Sequence, residues 1–119
     1  VWPDFARLVD LPFISLDPFA SYQESIEAML ALQGIEVRHV VETTSAVAAA
    51  LMARSGVGCA FLDPFIAQAF SGPDLIVART RPPVSHAYGA HVPRGAQSTP
   101  EAARLLRAIQ REIVAVHND

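Results

Sequence analysis

Short apolar runs alternate with stretches of helical periodicity along the chain, and the alternation predicts a β-α-β-α-β order. Leu11 to Leu16 reads as a strand, and Asp17-Pro18 after it supplies a capping residue and a residue suited to a first helical turn. From Phe19 to Gln33, Tyr22, Ile26, Met29, Leu30 and Leu32 recur at helical spacing. Ser21 and Glu24 have the spacing of a capping box, and Gly34 marks the helix stop. The β-branched run Val37 to Glu42 predicts a second strand. Thr43-Thr44-Ser45 then offers an N-cap for a helix from Ala46 to Arg54 that stops at Gly56. Gly58 to Leu62 is the third predicted strand, and Asp63-Pro64 opens a short helical turn.

Beyond the turn Ser71-Gly72-Pro73-Asp74 lies a predicted strand from Leu75 to Thr80, broken off at Pro82-Pro83. Ser85 to Val92 reads as another strand and Pro93 to Ser98 as a loop. Thr99-Pro100-Glu101 starts an amphipathic helix carrying Leu105, Leu106, Ile109, Ile113 and Val116, a face that needs a partner. Strands joined through single helices require crossover connections, so the expected class is α/β with a mainly parallel, doubly wound sheet and helices on both faces.

Composition narrows the function classes. With 51% hydrophobic and 18% charged residues in 119, the chain is globular, and part of its apolar surface is expected to face a partner. The net charge is -3 and the basic residues are all Arg and scattered, which excludes a nucleic-acid surface on this segment. Absence of Lys reads as the base composition of a GC-rich bacterial genome. Cys59, alone in an apolar run, reads as a small core residue of a protein from a reducing, cytoplasmic compartment. No run approaches the roughly 18 apolar residues of a membrane span. The start lacks both a cleavable leader and an initiator Met, so a fragment is expected, with residues 1–10 as linker; Trp2 and Phe5 either pack on the body or belong to that linker.

In a doubly wound sheet ligands sit outside the carboxyl ends of the strands, here Ser15 to Ser21, Glu42 to Ser45 and Leu62 to Phe65. Two of these ends lead into hydroxyl-rich helix N-termini, whose unpaired N–H groups and partial positive charge hold a small anion without a charged side chain. Ser21, Thr44 and Ser45 have a plainer reading as ordinary caps, and both readings stand. Asp17 and Asp63, each before a Pro, are caps or turn formers on one reading and an acid–base or Mg²⁺ pair on the other. His86 and His91 fall on opposite faces of a strand, and His39 and His117 stand alone, so no metal site is expected. Neither CxxC, P-loop, GxSxG nor GxGxxG occurs, and Gly56-Val57-Gly58 reads as a helix stop and strand start. Neither catalytic residues nor a cofactor are expected.

The stretch GIEVRHVVETTSAVAAALMARSGVGCAFLDP, Gly34 to Pro64, resembles the most recognisable part of LysR-type effector domains. The shared order is Gly34, the strand Val37 to Glu42, the polar cap Thr43 to Ser45, the Ala/Val-rich helix Ala46 to Arg54, Gly56 with Gly58, and the apolar run Cys59 to Pro64. Upstream, PFISLDP resembles the strand that opens the second subdomain, and the segment from Ser85 onward resembles the return to the first. The resemblance implies a periplasmic-binding-protein-like (type 2) fold, with 11–81 as one complete subdomain and 84–119 as the returning strand and helix of the other. It implies a small anionic effector, an organic acid, in the cleft between subdomains, held by Asp17, Ala20, Ser21 and Tyr22 at one helix start and Thr43, Thr44, Ser45 and Ala46 at the next. It further implies a cytoplasmic homo-oligomer that reaches promoter DNA through a separate N-terminal domain, without membrane attachment. The uncovered closing helix is expected to make this chain self-associate. The alternatives are a solute-binding protein of a transporter, which shares the fold, and a small α/β enzyme using Asp17 and Asp63.

Overall fold

Six elements form among the residues that the computed structural model describes, 10–17, 21–81, 83–85, 87–94 and 99–118. They are β1 (Pro12–Leu16), α1 (Ser21–Leu32), β2 (Arg38–Thr43), α2 (Ala46–Arg54), α3 (Pro64–Phe70) and α4 (Pro100–Asn118). Trp2, Phe5, Pro18, Ala20, Pro82, His86 and the loop residues 95–98 lie outside the described residues. The chain divides into two units, Val1–Ser85 and His86–Asp119.

In the first unit β1 and β2 pair in parallel, as a crossover through α1 demands. The third predicted strand reaches the other side of β1, but as a single parallel bridge between Phe13 and Cys59. Two hydrogen bonds hold it: the Ile14 N–H donates to the Cys59 carbonyl and the Cys59 N–H to the Pro12 carbonyl, each at 2.9 Å. The lateral order is therefore β2, β1, then the Cys59 segment, the order of a doubly wound unit. Gly58 lets this segment approach: a Cβ there would stand 2.4 Å from the Pro12 carbonyl oxygen.

Both helix stops work by one device. Gly34 and Gly56 have φ of 67° and 84°, conformations that side chains disfavour. At each, the glycine N–H bonds back to the third residue before it (Ala31, Ala53), and the next N–H to the fifth before it (Leu30, Met52), at 3.0–3.1 Å. Two helix ends are thereby closed by backbone bonds, joined at α2 by the Ser55 hydroxyl donating to the Leu51 carbonyl at 2.9 Å, and the chain re-enters the sheet at fixed positions.

Helices cover both faces of the sheet. Ile14 and Leu16, alternate residues of β1, are buried with Ala49 of α2 and flanked by Val41, Ala46, Met52 and Leu62. The other face carries Phe13 against Phe61, with ring centroids 5.2 Å apart. Phe61 in turn packs on Ile26, Met29 and Leu30 of α1, as do Ile35, Val37 and Val84. Burying side chains such as Ile14 and Ile26 stabilises by about 1.5–3 kcal/mol each. α3 starts at Pro64 and packs against α2, where the Arg54 guanidinium lies 6.0 Å from the Phe70 ring centre.

Two expectations need correction, while the Ser21–Glu24 capping box rests on a side chain outside the described ones, Ser21 being the first helical residue of α1. Leu75 makes only a bridge to Gly72 that closes the predicted turn, and residues 76–80 run on without a ladder. Ser85 to Val92 forms no strand in its described residues either. Strand propensity needs a neighbouring edge to satisfy its N–H and C=O groups, and neither segment finds one among the described residues.

In the second unit α4 is capped by Thr99, whose Oγ1 accepts from the Ala102 N–H at 3.2 Å. Leu105, Leu106, Ile109 and Val114 of its apolar side are exposed, while Ile113 and Val116 are half-buried.

Candidate functional site

Parallel pairing brings the strand ends to one edge of the first unit. Leu16 of β1 is level with Thr43 of β2, and the Tyr22 hydroxyl from the start of α1 donates to the Leu62 carbonyl at 2.8 Å. Asp17, Tyr22, Thr43 to Ala46 and Asp63 therefore share the carboxyl edge of the sheet. Ser21 joins them as the first residue of α1, and Ala20 lies outside the described residues.

The two helix starts of the first unit whose caps are described differ chemically. At α2, Ser45 is the N-cap, and its Oγ accepts from the Ala48 N–H at 3.2 Å. Thr43 turns the chain into the cap by accepting from the Ser45 N–H through Oγ1 at 3.1 Å. The Ala49 N–H bonds to the Ser45 carbonyl at 3.0 Å. The donors that remain in this first turn are the N–H groups of Ala46 and Val47, beside the exposed Thr44. At α3 the first helical residue is Pro64, which has no N–H, and Asp63 Oδ1 accepts from both Phe65 N–H (3.0 Å) and Ile66 N–H (3.1 Å). That helix start is filled by its own carboxylate. The first turn of α2 thus keeps backbone N–H groups that its cap does not take, whereas the cap of α3 takes those of its first turn.

Among the residues singled out from sequence, Ser45 and Thr43 serve as cap and turn, and Ala46 is half-buried against the Ile14–Leu16–Ala49 core. Tyr22 packs against both apolar clusters with its hydroxyl engaged, so its ring is at once a wall of this edge and a strut of the core. Asp17 follows β1 directly and is half-buried. Asp63, the other half of the hypothetical acid–base pair, has its carboxylate occupied by two backbone donors.

Two polar residues escaped the sequence reading. Gln23 is buried, accepts from the Leu16 N–H at 3.1 Å, and donates through Nε2 to Glu27 Oε1 at 3.2 Å, tying α1 to the end of β1. Its signal was a polar residue in register with Ile26 and Leu30 on the buried stripe. Ser15, also buried, is hydrogen-bonded through Oγ to Nδ1 of His39. Ser15 and His39 border a hollow of about 340 Å³ that includes Glu27, Val40 and Glu42 and is lined by none of the predicted ligand-binding residues. Burial pushes the Cys59 thiol up from its ordinary pKa, and Sγ donates to the Pro12 carbonyl oxygen at 3.6 Å, the behaviour of a packing residue. Among the described residues no group of three or more His, Cys, Asp or Glu is placed to hold a metal ion, and no helix is long and apolar enough to cross a membrane.

Comparison with curated proteins and with solved structures finds no match to this chain. A family model does match, that of the LysR substrate binding domain, over residues 3–113. The match spans nearly the whole chain and both units, and the protein belongs to the LysR substrate binding domain family, the effector-binding part of transcriptional regulators.

Proposed function

We propose that this chain senses a small organic acid for a LysR-type regulator and holds the acid's carboxylate at the start of α2. The supporting observation is the contrast between the two helix starts: α2 retains the Ala46 and Val47 N–H groups beside the Thr44 hydroxyl, whereas Asp63 fills α3. Thr43 and Ser45 shape the turn, Ala46 closes it against the core, and Asp17 and Tyr22 form the facing wall at the start of α1, to which the family resemblance adds Ala20 and Ser21 as ligand-binding residues. The Tyr22 ring suits the organic part of the ligand. Residues 11–81 form one wall of a cleft whose other wall belongs to a first subdomain, to which 84–119 return. Effector binding favours one arrangement of that cleft over another, and a coupling of about 1–3 kcal/mol is typical of such devices. The readout is promoter DNA, contacted by another domain of a cytoplasmic homo-oligomer.

A calorimetric screen of small mono- and dicarboxylates, each paired with its uncharged amide, tests the reading. The acids bind and the amides do not. Thr44→Val weakens the best acid about tenfold, the usual loss of a hydrogen bond to a charged group. Equal affinity of acid and amide, or unchanged affinity in both Thr44→Val and Ser45→Ala, removes the site from α2.

A further inference from the structure

β1 ends on a bond that is not part of the sheet. N–H groups of alternate residues leave a strand on the same side, so the Leu16 N–H points, as that of Ile14 does, toward the Cys59 segment. A parallel ladder extended past the Phe13–Cys59 bridge would pair it with the Phe61 carbonyl. It donates instead to Gln23 Oε1 at 3.1 Å. The neighbouring side chain on α1 engages the other side of the same gap, the Tyr22 hydroxyl donating to the Leu62 carbonyl at 2.8 Å. Two adjacent residues of the first turn thus stand where ladder bonds would have run, and the third segment keeps a single bridge to β1. Gln23 is suited to this place. It is 3% exposed, and its Nε2 donates to Glu27 Oε1 at 3.2 Å, which turns the amide oxygen toward Leu16. An apolar residue in the same stripe as Ile26 and Leu30 would fill the space and leave the Leu16 N–H to the third segment.

We propose that Gln23 is a positioning residue for the ligand edge: by taking the Leu16 N–H it stops the third segment from zipping onto β1 and keeps Tyr22 in place as the wall of that edge. The role rests on the carboxylate site proposed at the start of α2. Leu16 is level with Thr43, so the bond from Gln23 also fixes the strand end from which the Thr43–Ser45 turn departs. Gln23 itself touches no ligand; it acts through Leu16 and Tyr22.

Calorimetric titration of the chain with succinate and benzoate, beside succinamide and benzamide, tests the proposal together with NMR of the Leu16 amide. In Gln23→Leu the Leu16 N–H passes to the Phe61 carbonyl, and cross-strand contacts between Leu16 and Phe61 appear. Carboxylate affinity falls about tenfold while the urea midpoint moves little. Gln23→Glu sets a second carboxyl against Glu27, so its affinity falls as the pH rises from about 5 to 8, where both ionise. Exchanging the pair, Gln23→Glu with Glu27→Gln, returns acceptor and donor to their places with the charge unchanged and restores affinity to within about threefold at every pH. Acid binding in Gln23→Leu equal to that of the unaltered chain overturns the proposal and leaves the α2 site standing. So does an exchanged pair that stays as weak as Gln23→Glu. An unaltered chain that takes acid and amide equally removes the α2 site itself, and with it anything for Gln23 to position.

Discussion

α1 and α4 carry apolar stripes of similar period, yet one is buried and the other is not. Ile26 of α1 is 1% exposed and packs with Met29 and Leu30 on Phe61 and Val37, whereas Ile109 of α4 is 46% exposed and Leu105 61%. Hydrophobic periodicity states that a helix has a face to bury. What covers that face is decided by residues remote in sequence, and in the first unit these are β1 and the segment through Phe61. The same contrast separates strands: Phe13 to Leu16 are buried on a paired strand, while Ile76 is 93% exposed on a segment without a ladder. Burial goes with flanking on both sides: β1 lies between β2 and the Cys59 segment, whereas β2, which pairs with β1 alone among the described residues, keeps Arg38, His39, Val40 and Glu42 exposed.

The largest expected effect separates the two helices directly. Ile26→Ala removes a fully buried side chain and is expected to destabilise the first unit by about 2–5 kcal/mol in urea unfolding. Ile109→Ala trims an exposed one and is expected to cost less than about 0.5 kcal/mol. Losses of equal size show that the α4 stripe is covered in solution and erase the contrast.

A smaller effect probes how tightly the first unit is closed. An alanine Cβ at 58 meets the Pro12 carbonyl oxygen, a backbone atom that cannot swing aside, so Gly58→Ala must push the Cys59 segment off β1. The expected loss is about 2–3 kcal/mol, with faster amide exchange at Ile14 and Cys59, whose N–H groups make the bridge. Gly56→Ala meets open space and suffers only the left-handed backbone, about 1–2 kcal/mol. A milder loss at Gly58 than at Gly56 would show that the third segment is not seated on β1.

These glycines mark where the sequence was readable. Helix ends are set by local chemistry, and Gly34, Gly56, Ser45, Asp63-Pro64 and Thr99 act where their residue types place them. The β-α-β-α order and parallel pairing follow from the same local signals together with the crossover rule. Leu75 to Thr80 and Ser85 to Val92 misled because a strand is defined by its neighbour, which composition does not name. The gathering of the strand ends and helix starts at one edge was equally readable, but the difference between the starts of α2 and α3 was not. It depends on whether a capping side chain consumes the first-turn donors, and Asp63 takes two where Ser45 takes one. Gln23 and Ser15 were missed because each is a polar residue on an apolar face, and only the partners Leu16 and His39 reveal its use.

The smallest effect comes from a matched pair of lesions. Ser45 in the first unit and Thr99 in the second make the same bond, each accepting from an alanine N–H three residues on at 3.2 Å. Replacing either with Ala removes about 1 kcal/mol of local helix stability. In α2 the first turn is fastened to the core through Ala46 and Ala49, so opening it also disturbs Ile14 and Leu16, and the loss is expected as a lowered unfolding midpoint of the whole unit. In α4 the first turn has exposed residues around it and can fray alone. Thr99→Ala should then speed amide exchange at Ala102 and Ala103 and leave the midpoint of the first unit in place. If Thr99→Ala lowers that midpoint as much as Ser45→Ala does, the two units unfold as one, and the stripe of α4 has a partner that stabilises both.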